Sequence, residues 1–416
     1  MDVEILIVGA GVAGLAAAGE LTAAGHDVTI VEARDRIGGR VYTQHDPDCA
    51  APIELGAEFV HGRPAALFDL IHARRLLAVE VTGGHLCYRG GRLSACDDFF
   101  PKVEDLLGKL NTAAKHRDES FEAFLERVDE DEEIKSRASD FVEGFNAAYK
   151  DRISVHALAR QQEAEESSGG DRMFRMVAGY DGIVTELYRG IAHEHCRLQL
   201  NTPVQRIQWR GGEVRIDDRF RAERAIVTLP LGVLKAGSVR FDPKPAPLGA
   251  ALEALEMGSA RRIVFRFRER FWDQREELAT MSFLHGEREQ SWPVWWSSAP
   301  LQTPLLTAWA GGPKAATSDP DAALKTLAKL LGMKLAEVEE QCEAAYFHDW
   351  SSDTWSCGAY SYVRAGGLPA AHRLAEPIED TLYFAGEHTD LTGNWGTVHG
   401  AIDSGRRAAK ACVNAA

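Results

Sequence analysis

The sequence predicts an α/β protein in which a Rossmann-type dinucleotide-binding domain is interleaved with an α+β domain. Three observations carry that expectation. A strand, a glycine-rich turn and a helix follow one another at the start of the chain. The composition then changes near residue 60 and returns twice to strand-and-helix patterning. No repeat, low-complexity linker or Pro/Ser tract divides the 416 residues into beads on a string.

Residues 3–8 are a short apolar run rich in β-formers that stops at Gly9, and residues 12–24 are an Ala/Leu-rich stretch of helical composition. Between them lies Gly-Ala-Gly-Val-Ala-Gly. Gly9 permits the tight turn, Gly11 lets backbone approach a pyrophosphate, and Gly14 allows close packing of helix on strand. The helix N-terminus is itself an anion site. Gly25 ends the helix, residues 28–31 form a second buried strand, and Glu32 follows Gly14 by 18 residues, where such a unit places its ribose-binding acid. A carboxylate there accepts from ribose hydroxyls and repels a 2′-phosphate, which argues against NADP. The following Glu-Ala-Arg-Asp-Arg-Ile-Gly-Gly-Arg separates FAD from NAD. Gly38 and Gly39 clear side chains from a second backbone approach, and Arg40 offers a planar fork to a diphosphate. Arg34 either covers the adenine or faces water.

From residue 61 to 176 the patterning is helical, notably over 120–128 and 133–149, broken by the acidic run 129–133 that reads as a solvated face. Gly179 to Gly182 open an amphipathic stretch to Ile191, and β-rich segments at 198–209 and 225–229 return the chain to a sheet. A second excursion holds strand-like residues 263–267 and 305–310, an aromatic segment at 292–296 and a helix over 321–331. The last return is a strand through 381–387 and a helix through 397–410. The nucleotide domain is therefore expected from residues 1–60, 180–240 and 370–416, and the other domain from 61–179 and 241–369.

Lys+Arg 47 against Asp+Glu 62 gives a net charge of −15, which argues against nucleic acid as a partner and favours solubility or small cationic ligands. No apolar run approaches the roughly 18 residues that span a bilayer, and the N-terminus lacks a basic region before its apolar run. A soluble, cytoplasmic protein without membrane attachment is expected. Its 7 cysteines are scattered, odd in number and without a C-x-x-C pair, which predicts free thiols. His193-Glu194-His195 has no third ligand at a recognisable spacing, so no metal site is expected.

Nearly the whole chain resembles the FAD-dependent amine oxidases, the family of polyamine oxidases, monoamine oxidases and lysine-specific histone demethylases. The resemblance rests on residues 9–14 and 32–40, on IELGAEFVHG at 53–62, AIVTLPLGVLK at 225–235, GAYSYV at 358–363, and on LYFAGEHT through TVHGA at 382–401. GAEFVHG and TVHGA are most similar to polyamine oxidases and demethylases. It implies an FAD-binding domain paired with a substrate-binding domain, with Gly56, Ala57, Val204, Gly386, Glu387, Thr397 and Val398 also at the cofactor. It further implies hydride transfer from the carbon beside an amine nitrogen to flavin N5, an imine that hydrolyses, and a reduced flavin drained by dioxygen or another acceptor. An aromatic pocket suits that chemistry because it orients the amine and excludes water. The resemblance places Trp355 and Tyr360 beside the flavin, with Trp350 five residues earlier.

Thr397 stands where monoamine oxidases have a second cage tyrosine, so the cage is half open. Arg262 stands where the family has a flavin-contacting lysine, and it either faces the flavin with a permanent charge or faces solvent on its strand. Ala359 occupies the position of the tethering cysteine, with Cys357 on the wrong step, which implies noncovalent FAD. His61 matches a pocket histidine of polyamine oxidases. Glu58 and the segment Glu163, Glu165, Glu166 are candidate carboxylates for a distal ammonium, although a solvated face explains the latter equally well. A polyamine or secondary amine is the expected substrate. The alternatives are an L-amino-acid oxidase clamping a carboxylate with Arg63 or Arg262, an FAD desaturase, and a non-catalytic FAD-binding scaffold. Oligomeric state is not expressed in the sequence.

Overall fold

The computed structural model describes residues 2–96 and 100–414. Its first large sheet is built around Asp2–Val8, whose residues Ile5, Leu6, Ile7 and Val8 are all buried. A strand buried on both faces reads as a continuous apolar run and belongs in the middle of a parallel sheet. It pairs in parallel with Val28–Val31 on one side and Phe220–Val227 on the other. Cys196–Gln199 extends the sheet beyond Val28–Val31, and Leu382–Phe384 pairs in parallel with Phe220–Val227. Glu213–Ile216, Arg206–Arg210 and Arg240–Asp242 complete it. Segments far apart in sequence thus meet in one sheet.

The helices Val12–Ala23 and Val398–Asn414 pack on each other nearly backbone to backbone. A Cβ on Gly405 would stand 2.1 Å from the Ala13 carbonyl oxygen, and one on Gly14 only 2.0 Å from that of Gly9. Such closeness explains the alanine-rich composition: Ala16, Ala17 and Ala18 bury small side chains where larger ones would force the layers apart.

The elements that sequence patterning predicts are present with shifted edges. The helix over 133–149 is Glu132–Asn146, capped by Asp131, and Phe121–Arg127 starts from Ser120, whose hydroxyl accepts from the Ala123 amide at 3.3 Å. Residues 198–209 do not form one strand. Asn201 turns the chain at φ 51°, Pro203 lacks an amide donor, and Cys196–Gln199 and Arg206–Arg210 are separate strands. The strand expected at 225–229 is the apolar end of the longer Phe220–Val227, whose alternating Arg and Glu residues hide its first half.

A second large sheet runs in the order Cys342–Phe347, Ala260–Phe267, Leu305–Gly311, Val294–Ser297, Met281–His285, Gly84–Arg89, Arg92–Ala95. Trp272, Trp292 and Trp295 are fully buried in the cluster against it. A smaller sheet of Phe59–His61, Met173–Met176 and Ala78–Glu80 carries His61.

One sequence expectation is corrected here. Cys87 and Cys96 form a disulfide, because the hairpin of Gly84–Arg89 and Arg92–Ala95 brings their Cα atoms to 5.3 Å. Scattered spacing carries no trace of such a local pairing, and the free-thiol support for a cytoplasmic location falls away. Cys49, Cys196, Cys342, Cys357 and Cys412 are free. Among the described residues no helix is long and apolar enough to cross a membrane, and no cluster of three or more His, Cys, Asp or Glu residues is arranged to hold a metal ion.

Candidate active site

A cavity of about 1340 Å³ is lined by residues of both large sheets. One end is the glycine cradle. Gly9 turns at φ 107° and Gly11, the N-cap of Val12–Ala23, faces open space where a Cβ would meet nothing within 4 Å. That gap at a helix N-terminus fits a pyrophosphate. Glu32 lines the same end and is held rigidly, one oxygen accepting from the Ala10 amide at 2.7 Å and the other from the Arg34 amide at 2.9 Å. Each oxygen retains a lone pair for a ribose hydroxyl. Val204, Gly39, Gly56 and Ala57 line the cavity too, whereas Gly14 lies beneath it as the contact between helix and strand.

Arg40 donates through Nη1 to the Ala359 carbonyl and to Glu387, both at 2.8 Å, leaving the rest of its fork for a diphosphate. Glu387 is buried. It also accepts from the Ser361 hydroxyl at 2.5 Å and the Gly396 amide at 3.0 Å. Burial opposes its ionisation, yet the Arg40 charge, His388 and the Ser361 hydroxyl hold its pKa below the usual carboxylate value. Gly386 precedes it at φ 124°, its amide donating to Ser404. Thr397 caps the helix Val398–Asn414, accepting from the Gly400 amide at 3.0 Å, and so aims that helix's N-terminus and Val398 at the cavity.

Arg34 does not simply face water. Its fork is occupied by Asp353, at 2.9 and 2.6 Å, and by Ser356. It anchors the segment that presents Trp355, while still lining the cavity. Sequence proximity to Glu32 suggested a ligand contact, but Asp353 lies 319 residues away and was invisible locally.

Trp350, Trp355, Tyr360, Thr397 and His61 all line the same cavity. Trp350 is buried and donates to the Leu55 carbonyl at 2.7 Å, Trp355 is 36% exposed, and the Tyr360 hydroxyl donates to the Phe145 carbonyl at 2.7 Å. Burial pushes the Tyr360 phenol up, so it stays neutral. His61 packs edge-on against Phe145 at 5.4 Å, and His399 pairs with Asn394 Oδ1 at 3.0 Å. Burial pushes both imidazoles down to about 4, for His399 with help from the charge of His61. His399 lay inside the TVHGA motif without being singled out; its cavity position and Asn394 contact are tertiary facts.

Two expectations about charge are corrected. Arg262 does not face solvent: it is 8% exposed, donates through Nη1 to the Glu54 and Gly56 carbonyls at 2.9 and 2.6 Å, and sits 3.1 Å from Glu58 through Nη2. Glu58 is consequently no partner for a substrate ammonium, because Arg175, Arg262 and the Trp296 indole already hold it. Arg175 was missed at the sequence level, where nothing marks it. Of the acidic segment, only Glu165 lines the cavity; Glu163 and Glu166 are exposed faces of the helix Val155–Ser167. Arg63 lies outside the cavity lining, over the Phe68 ring.

Among the described residues Cys87 is the cysteine that lines the cavity, and its sulfur is in the disulfide; Cys357 instead donates to the Thr354 carbonyl. The residues present therefore fit a dinucleotide held without a thiol tether. Replacing Glu32 by alanine is expected to weaken FAD retention by about 1.5–3 kcal/mol, the scale of hydrogen bonds to a charged group. Equilibrium dialysis of the loaded protein measures it, and unchanged retention means that the ribose is held elsewhere.

The family model described as flavin containing amine oxidoreductase matches residues 12–413. Polyamine oxidase 4 of Oryza sativa subsp. japonica is 29% identical, the alignment covering 98% of this chain and 88% of that protein. Lysine-specific histone demethylase 2 of Homo sapiens is also 29% identical over 98% of this chain, which spans about half of the demethylase, 53%. Among solved structures, a putrescine oxidase bound to putrescine has a TM-score of 0.83 at 21% identity, covering 100% of this chain and 99% of its own. Cyclohexylamine oxidase from Brevibacterium oxydans IH-35A has a TM-score of 0.84 at 21% identity, with coverage of 100% and 99%.

Proposed function

Because this chain belongs to the flavin containing amine oxidoreductases, we propose that it oxidises a di- or polyamine at the carbon beside one nitrogen, and that dioxygen drains the electrons as hydrogen peroxide. FAD supplies the two-electron acceptor. The observation that carries the choice of substrate is Glu165. It lines the cavity with one side-chain hydrogen bond, from Gln161 at 3.1 Å, and no cationic partner among the described residues. Glu32 lies at the glycine cradle, Glu58 and Glu387 are already paired, and Glu133, Asp140 and Glu287 pair with Arg137, Arg288 and Lys329. Burial raises the pKa of Glu165 in the protein alone; an arriving ammonium restores its charged form and gains a strong hydrogen bond.

The remaining residues prepare the reacting nitrogen. His61 and His399 are neutral above a pH of about 4, so they place no competing cation beside it. Tyr360 and Trp355 line the cavity with aromatic rings suited to orienting an amine and keeping water from its C–H bond. An L-amino-acid substrate is less well served, since both arginines considered for its carboxylate are otherwise placed: Arg262 donates to fixed partners and Arg63 is outside the cavity.

Anaerobic mixing with putrescine or spermidine is expected to bleach the flavin absorbance faster than mixing with benzylamine. The limiting rate should rise with pH from about 6 to 9, because only the unprotonated amine has the lone pair that supports hydride loss. The two imidazoles, which titrate near 4, add no inflection in that window, whereas Glu54, pushed by burial up to about 8, titrates inside it; the amine is therefore identified by a midpoint that moves with the amine's own pKa. Faster bleaching by benzylamine, or a flat profile, overturns the reading. Peroxide release in air tests the acceptor separately.

A further inference from the structure

Two arginines share one carboxylate in the cavity wall. Glu58 is 8% exposed; one oxygen accepts from Arg175, the other lies 3.1 Å from Arg262 Nη2, and the Trp296 indole donates to both. Every other hydrogen bond made by the two guanidinium groups goes to a neutral carbonyl: Arg175 to Ser297 at 2.7 Å, Arg262 to Glu54 and Gly56. Aromatic faces close the cluster, with Phe59 4.5 Å from Arg175 and with Trp296 and Trp309 at 5.3 and 5.6 Å from Arg262. The neighbouring Glu54 carboxyl accepts from the Thr43 hydroxyl and the Tyr180 amide, and burial pushes its pKa up to about 8, so at neutral pH it does not supply a second negative charge.

Two positive groups and one negative group leave a surplus of one positive charge in a nearly dry wall. Such a surplus is costly unless something beyond the cluster answers it. Glu58 and Arg262 line the cavity and Arg175 lies behind them, so the field falls on whatever the cavity holds. The Gly56 carbonyl that Arg262 grips is continuous with the cofactor cradle, for a Cβ on Gly56 would stand 1.9 Å from the Arg40 carbonyl oxygen.

We propose that the Arg175–Glu58–Arg262 cluster is a fixed cation that sets the reduction potential of the bound flavin. Transfer of a hydride, two electrons and one proton, to the neutral oxidised ring leaves it with one negative charge; the cluster stabilises that product over the neutral ring. The proposal rests on FAD occupying this cavity, which the spectrum of the loaded protein reports independently. The cluster acts through its field and takes up no proton.

The test is the two-electron potential of the FAD-loaded protein, measured by dye-linked reductive titration without substrate. Because the Glu58 charge helps keep Glu54 protonated, Glu58→Gln is made together with Glu54→Gln; the pair raises the surplus to two positive charges and is expected to raise the potential. Arg262→Met cancels the surplus and is expected to lower it. Each shift should correspond to at least a tenfold change in the ratio of affinities for reduced and oxidised flavin, about 30 mV for a two-electron couple. Arg262→Lys keeps the charge and should stay near wild type. General damage cannot move the double glutamine variant and Arg262→Met in opposite directions, so shifts of the same sign, or none, overturn the proposal. An unmoved potential accompanied by lost binding of a carboxylate ligand in Arg262→Met also overturns it, assigning the charge to the substrate instead.

Discussion

Replacing Glu387 by alanine is expected to lower the stability of the FAD-free protein by about 3–5 kcal/mol, as for other buried pairs broken from one side. The change strips Arg40 of its only carboxylate among the described residues and leaves the Ser361 hydroxyl and Gly396 amide without their acceptor. Chemical denaturation monitored by tryptophan fluorescence measures the loss. The pH dependence carries a sign. The folded pKa of Glu387 is depressed, so its contribution is complete above the unfolded value near ~4.3 and disappears as pH falls through the folded value. Wild type and variant should therefore converge in strong acid. FAD affinity should fall as well if, as its motif implies, the free part of the Arg40 fork holds the diphosphate, because that fork loses its orientation. A variant as stable as wild type at neutral pH would mean that the Arg40–Glu387 pair is replaceable by water.

Replacing Glu165 by glutamine is expected to raise KM for a linear diamine by about 10- to 100-fold, the range of a lost charge-assisted hydrogen bond of about 1.5–3 kcal/mol. Benzylamine, with no second nitrogen, should keep its KM, and kcat at saturation should change little for either amine. Such a split separates distal binding from chemistry. Equal losses for both amines would assign Glu165 to the shape of the cavity and move the distal site to the other lining acids Glu133, Asp140, Glu143, Glu287 and Glu289, of which Glu133 and Asp140 pair with Arg137 and Arg288.

The strand–turn–helix–strand unit at one end of the cavity was almost fully legible in the sequence, because its geometry is local. Gly9, Gly11, Gly14 and Glu32 belong to one strand–turn–helix–strand unit, and their spacing follows from the turn that a backbone must make to approach a phosphate. Arg40, Gly386 and Glu387 were named from motifs, though the Arg40–Glu387 ion pair itself spans 347 residues. Apolar runs buried on both faces likewise announced the central strands.

What the tertiary structure alone decided is the fate of each charge. Arg34 and Arg262 each allowed two readings, because an arginine on a strand or turn has the same local pattern whether it meets water, a ligand or a distant acid. Asp353 anchors the first, and Glu58, with the unheralded Arg175, holds the second. The same contacts withdraw Glu58 from the substrate and leave Glu165 facing the cavity. Local periodicity reports which face of an element is buried, but whether a buried charge is already answered depends on partners that only the folded chain brings within hydrogen-bond distance.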